Sequence, residues 1–163
     1  MKILNIILCA LILASVSFAK EVKLGVSLSP AGSFEAKSNN LSGKVNYKKS
    51  ADKIWASRLK VSIKSFDTGM SLRNEHFAKH LNAKKYPNAI ISKFRGTKGS
   101  ATGILKLAGA KKKVLIAYKV VGSEVLAKFK VNTKELGLKK VKYLGVGVKD
   151  VVEVTVKMPV NLR

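Results

Sequence analysis

From Val22 onward, apolar side chains recur at every second position in run after run. Val22, Leu24, Val26 and Leu28 share one parity, while Lys23, Gly25 and Ser27 hold the other. The same rhythm returns in Leu41–Tyr47, Val114–Val120, Val125–Val131 and Val152–Val160. Successive side chains of a strand point to opposite faces, so each run builds one apolar and one solvated face. Trp55, Leu59, Val61 and Ile63 read as a further apolar face, set against Arg58, Lys60, Ser62 and Lys64.

Turn-forming residues fall between these runs, in Ser29-Pro30-Ala31-Gly32, Gly96-Thr97-Lys98-Gly99, Gly109-Ala110-Lys111 and Val121-Gly122-Ser123. Most gaps are hairpin-sized, which predicts antiparallel pairing of consecutive strands. About eight to ten such strands predict an all-β sandwich or closed barrel. One segment departs from the pattern. Across Ser71–Asn82, Leu72, Phe77 and Leu81 recur at roughly helical spacing. This predicts one short helix near residues 71–82, with Ser71 as its N-cap and Pro87 forcing an extended approach to the next strand.

The first residues follow a different logic. Lys2 is followed by an almost wholly apolar stretch, Ile3–Val16, and then by the small-residue pattern Ser17-Phe18-Ala19. That is the three-part form of a secretory signal, and it predicts cleavage after Ala19. Residues 1–19 are thus read as an export signal and residues 20–163 as one domain, a length that suits a single core. The only cysteine, Cys9, lies in the leader. The exported chain would then hold no disulfide, thiol nucleophile or cysteine ligand.

Charge narrows the partners. The chain carries 32 Lys+Arg against 9 Asp+Glu, a formal charge of +23, yet 47% of its residues are hydrophobic, too many for a disordered chain. Lysines outnumber arginines 28 to 4 and lie on the parity opposite the apolar set. Nucleic-acid readers favour the arginine fork and exposed aromatic platforms, so no nucleic-acid partner is expected. The lysines read as a solvated exterior that also discourages edge pairing. The alternative is peripheral contact with an anionic membrane surface. An uncovered edge strand would permit a homodimer.

Catalytic chemistry has little to work with. The two histidines, His76 and His80, sit four apart on the expected helix, but Phe77 stands where a His-Glu-x-x-His zinc motif needs glutamate. Asp67 and Glu75 read as a turn acid and a first-turn helix acid. There is no Gly-x-Ser-x-Gly elbow and no P-loop. No enzyme, metal or cofactor is expected. A small hydrolase or isomerase using His76 with Asp67 or Glu75 is the minor rival.

Several segments, in order, resemble one family. Phe66-Asp67-Thr68-Gly69 leads into Arg73-Asn74-Glu75-His76, followed by Tyr86-Pro87 before the next strand. Gly103-Ile104-Leu105-Lys106-Leu107-Ala108-Gly109 and Phe129–Leu138 follow, and Val148–Val154 closes the series. Together they are similar to the signature regions of the YceI-like, polyisoprenoid-binding periplasmic proteins. Ser29-Pro30-Ala31-Gly32-Ser33 replaces the family's early Asp-x-x-His-Ser.

The resemblance implies an extended, lipocalin-like antiparallel β-barrel of about eight strands, exported to the periplasm. Its lumen would hold a long isoprenoid or fatty-acyl chain. In such a barrel Trp55, Leu59, Val61, Ile63, Phe94, Leu105, Leu107, Ile116, Tyr118 and Phe129 would line the lumen. Tyr86 and Ile90 would line the lumen too, and Met70, Leu72, Phe77 and Leu81 would line the inner side of the helix-capped mouth. Arg73 and His76 would meet a head group there, since arginine suits oxyanions. The plainer role for Arg73 is to pair with Asp67 and pin the helix. The rival to a carrier is a basic stress-response or binding module with a packed core that engages anionic surfaces.

Overall fold

The computed structural model describes residues 19–143 and 145–163. The export signal read above, save Ala19, lies outside the described residues. The two-residue rhythm resolves into eleven strands of one sheet. They are β1 (Glu21–Ser29), β2 (Ser33–Ser38), β3 (Leu41–Ser42), β4 (Val45–Lys48), β5 (Lys53–Ser62), β6 (Asn88–Thr97), β7 (Ser100–Leu107), β8 (Ala110–Val121), β9 (Glu124–Asn132), β10 (Lys142–Tyr143) and β11 (Val146–Leu162). A single α-helix, α1 (Ser71–His80), links β5 to β6.

β11 organises the sheet because its two edges serve different partners. Lys157 of β11 faces Glu21 of β1 on one edge and Leu126 of β9 on the other. Where β1 ends, β4 takes over the same edge, pairing Val160–Leu162 with Val45–Tyr47 in parallel. β4 to β9 follow one another in order, and the β9–β11 ladder closes a ring of seven strands. Closure removes the exposed edges that an open sheet would leave. The β1–β2 hairpin extends β11 outside this ring. It is tied back by reciprocal backbone bonds between Lys37 and Asp67 at 2.9 and 2.8 Å.

The apolar parity turns inward. Ala36, Val45, Ile54, Phe94, Ile116, Phe129, Val154 and Met158 belong to one buried cluster. The parity is interrupted once in a way that the sequence pattern hides. β5 buries Ile54 and Ala56, then Leu59 and Val61, so its inward face changes from even to odd numbers. β6 changes in step: Phe94 faces Ala56, and Ile91 faces Leu59. Lys93, opposite the changeover, adopts a left-handed conformation at φ 53°, and the β6–β7 register slips by one residue beside it. This is a bulge, one extra residue that re-aims every side chain beyond it. Trp55 therefore does not share the inward face of Leu59, Val61 and Ile63. It lies half-buried on the opposite parity to Ile54 and Ala56.

α1 covers the end of the ring where β5 finishes and β6 begins. Ile63, Leu81 and Ala83 form a small buried cluster there, packed against Phe77, Ala89, Leu107 and Leu138. Phe77 meets Phe66 edge-on, with ring centroids 5.6 Å apart. Ser71 is not the N-cap. The helix starts at Ser71, Met70 is the cap residue, and no side chain bonds the free amides. The preceding loop is held instead by Asn74, whose Oδ1 accepts from the Thr68 amide at 2.8 Å and whose Nδ2 donates to Asp67 at 3.0 Å.

Candidate functional site

Among the described residues, the β8–β9 ladder breaks off partway along the seven-stranded wall. β8 and β9 pair from Val121–Glu124 down to Ala117–Lys128, and there the ladder stops. In the same register Ile116 would face Phe129, and Val114 would face Val131, but these residues do not pair. β8 stays joined to β7 as far as Ala110. β9 stays joined to β11 as far as Asn132. The two hairpins splay apart, each keeping its other partner.

The gap opens a cleft of about 850 Å³, within the usual range for small-molecule sites. Its lining takes consecutive residues from both strands, Lys112–Ala117 of β8 and Lys128–Asn132 of β9. A groove on one face of a sheet would take alternate residues, so the cleft passes through the wall. Its inner part is apolar, formed by Leu105, Val114, Ile116, Phe129, Val131 and Val154. Its outer rim carries Lys112, Lys113, Lys128 and Lys130 with Glu135 and Glu153.

One polar contact bridges the gap. After β9 the chain makes a single 3-10 turn, Lys134–Leu136. Asn132 shapes it, accepting from the Lys134 amide at 3.1 Å and donating to Glu135 at 3.3 Å. The Glu135 carboxylate then reaches Lys112 Nζ of β8 at 2.7 Å. Lys112 holds this carboxyl below the ordinary glutamate range, first by its hydrogen bond and then by its charge. Leu136, buried in the same turn, joins the main core.

The opposite end of the ring is shut. Ile54, Val45 and Met158 fill it and are almost wholly buried. Asp52 gathers the turns around it. It accepts from Tyr47 through its carboxylate at 3.0 Å and from Tyr118 through its carbonyl at 3.4 Å.

A helix-capped barrel with this order of segments has a recognised counterpart. The YceI-like domain family matches residues 14–160. The chain belongs to that family. Its fold is similar to the solved structure of Burkholderia cenocepacia BcnA, at 18% identity and a TM-score of 0.68, covering 85% of this chain and 94% of that one. A polyisoprenoid binding domain from Saccharophagus degradans, implicated in plant cell wall breakdown, aligns at 12% identity and a TM-score of 0.59, covering 88% and 95%. The Campylobacter jejuni YCEI protein aligns at 17% and 0.61, covering 78% and 84%. No curated protein matches the sequence.

Within this YceI-like barrel the expected lining residues divide. Leu59, Val61, Phe94, Leu105, Ile116, Tyr118 and Phe129 are buried in the main core, with Phe77 and Leu107 half-buried against it. Of these, Leu105, Ile116 and Phe129 reach the cleft. Ile63 and Leu81 lie in the small cluster beneath α1. Others are not in the interior. Ile90 pairs with Lys60 and Lys106, on the outward face. It shares a small outer groove with Tyr86. Met70 and Leu72 are exposed, because α1 turns Phe77 and Ala78 inward instead.

The expected head-group pair is likewise separated from the cleft. Arg73 stacks over the Phe34 ring at 4.5 Å and donates to the Thr68 carbonyl at 3.4 Å. It forms no ion pair with Asp67 among the described residues; Asn74 and the Gly69 amide bond that carboxylate. His76 is exposed, whereas His80 is half-buried and its imidazole is held below the ordinary range by burial. The described residues contain no cluster of three or more metal-ligating side chains.

The strand periodicity does not predict the cleft, though one signal for it exists in the sequence. Lys112 carries a charge on the inward parity of Val114, Ile116 and Tyr118. A charge on that face needs an opening to water or a paired anion, and Lys112 has Glu135.

Proposed function

We propose that this chain is an exported binding protein, not an enzyme, that carries a long apolar lipid of the isoprenoid or fatty-acyl class within its barrel. The observation that carries this reading is the break between β8 and β9. It joins solvent to an apolar space walled by Phe129, Val131 and Val154. Each buried methylene contributes about 0.8 kcal/mol, so a long chain can be held with few polar contacts. The filled end at Asp52 suits a tail that enters from one side only. The Saccharophagus degradans relative, described as a polyisoprenoid binding domain, supports the same ligand class. The residues for catalysis are poorly arranged: His76 is exposed, and Asp67 is occupied by Asn74.

Native mass spectrometry and solvent extraction of the purified protein test the reading, with a stoichiometric apolar lipid expected. A protein that purifies empty and fails to bind dodecanol overturns it. Export rests on Lys2, the apolar run Ile3–Val16 and Ser17-Phe18-Ala19. N-terminal sequencing of protein released from the periplasm should begin at Lys20, and an intact leader would refute export.

A further inference from the structure

Both ends of the ring are covered. α1 with Leu81 and the segment bearing Leu138 close one end, and Asp52 with its two tyrosines closes the other. A ligand that reaches the apolar interior has the β8–β9 cleft as an open path to it. The rim of that cleft is electrostatically lopsided, with four lysines against two glutamates. Lys113 and Lys128 form no ion pair among the described residues. Lys130 reaches Glu153 only at 3.7 Å. Leu115, which lines the cleft from the outward parity of β8, is 73% exposed. Ammonium groups outside, an exposed leucine at the lip and Phe129 within form a gradient from cationic to apolar across one wall.

We propose that the β8–β9 cleft is the ligand portal and that the ligand class is a single-chain amphiphile with an anionic phosphate or carboxylate head. This deepens the carrier reading and rests on it. The tail passes between Ile116 and Phe129. The head stays at the rim, facing Lys112, Lys113 and Lys128. The Glu135 carboxylate already occupies Lys112, so it acts as a built-in competitor for the head group. The turn that carries it forms a latch across the portal. A ligand head that displaces Glu135 exchanges one anion on Lys112 for another and releases the turn from β8.

Calorimetric titration with three probes of equal tail tests this: dodecyl phosphate, dodecanoate and dodecanol. Wild type should bind the anions more tightly than the alcohol, and the tighter anion names the head group. Lys113→Gln/Lys128→Gln should weaken both anions roughly tenfold, with little effect on dodecanol. Glu135→Gln should tighten the anions severalfold by freeing Lys112. Equal affinity for all three probes, or variants that move dodecanol as much as the anions, would overturn the head-group assignment while leaving the carrier reading intact. Failure of every probe to bind wild type would instead sink the carrier reading. The portal has its own test: Leu115→Cys in a Cys9→Ser background, labelled with a bulky maleimide. Association of all three probes should slow at least tenfold, and an unchanged rate would exclude this route. Circular dichroism of each variant separates these outcomes from unfolding.

Discussion

The Tyr47 phenol donates to the Asp52 carboxylate at 3.0 Å, and this bond ties the β4–β5 turn at the shut end of the barrel. The carboxylate favours the protonated phenol and raises its pKa above the ordinary tyrosine value, with burial adding to the effect. The folded state thus holds this proton more tightly than the unfolded chain does. The resulting stabilisation is complete below about pH 10, the unfolded value, and is lost as pH rises through the folded one. Urea midpoints measured from pH 8 to 11 should fall more steeply for wild type than for Tyr47→Phe. Parallel curves would show that the bond contributes nothing.

Asp67 gives the opposite sign. Its carboxyl is held below the ordinary range by the Asn74 side chain first and the Gly69 amide second. Stabilisation from this source is present above the unfolded value, about 3.9, and is lost as pH falls through the folded one. Asn74→Ala should be less stable than wild type at neutral pH, and the gap should narrow in acid. Part of it should persist, because Asn74 also accepts from Thr68. A gap that widens in acid would contradict the assignment.

Inward and outward positions should differ sharply in cost. Ile54 is fully buried, and Ile54→Ala should destabilise by about 3 kcal/mol. Leu115, at the lip of the cleft, should tolerate alanine within about 0.5 kcal/mol. Chemical denaturation of the two variants decides this, and comparable losses would mean that Leu115 packs in the core.

Trp55 reports on the bulge, because it is the only tryptophan. Half-buried on the outer parity, it should be quenched by iodide to an intermediate extent in the folded protein. Adding dodecanol should leave that quenching unchanged, since Trp55 does not line the cleft. Full shielding from iodide would return Trp55 to the interior.

The sequence by itself determined the all-β class, the short helix between β5 and β6, and most of the inward residues from β7 to β11. The physical reason is local: a period of two can be satisfied only by a strand with one buried face, and Leu105, Ile116, Phe129 and Met158 follow it without interruption. Only the tertiary structure decided three things. The bulge at Lys93, opposite the changeover in β5, goes with the move of Trp55 out of the inward set, because a one-residue insertion reverses parity without altering composition. The parallel contact of β4 with β11 set the ring at seven strands, since β11 is long enough to exchange one neighbour for another. The parting of β8 from β9 made the cleft, where Lys112 meets Glu135 across 22 intervening positions of sequence. Strand pairing is a contest between partners distant along the chain, so its outcome is written in the assembled wall and not in any single strand.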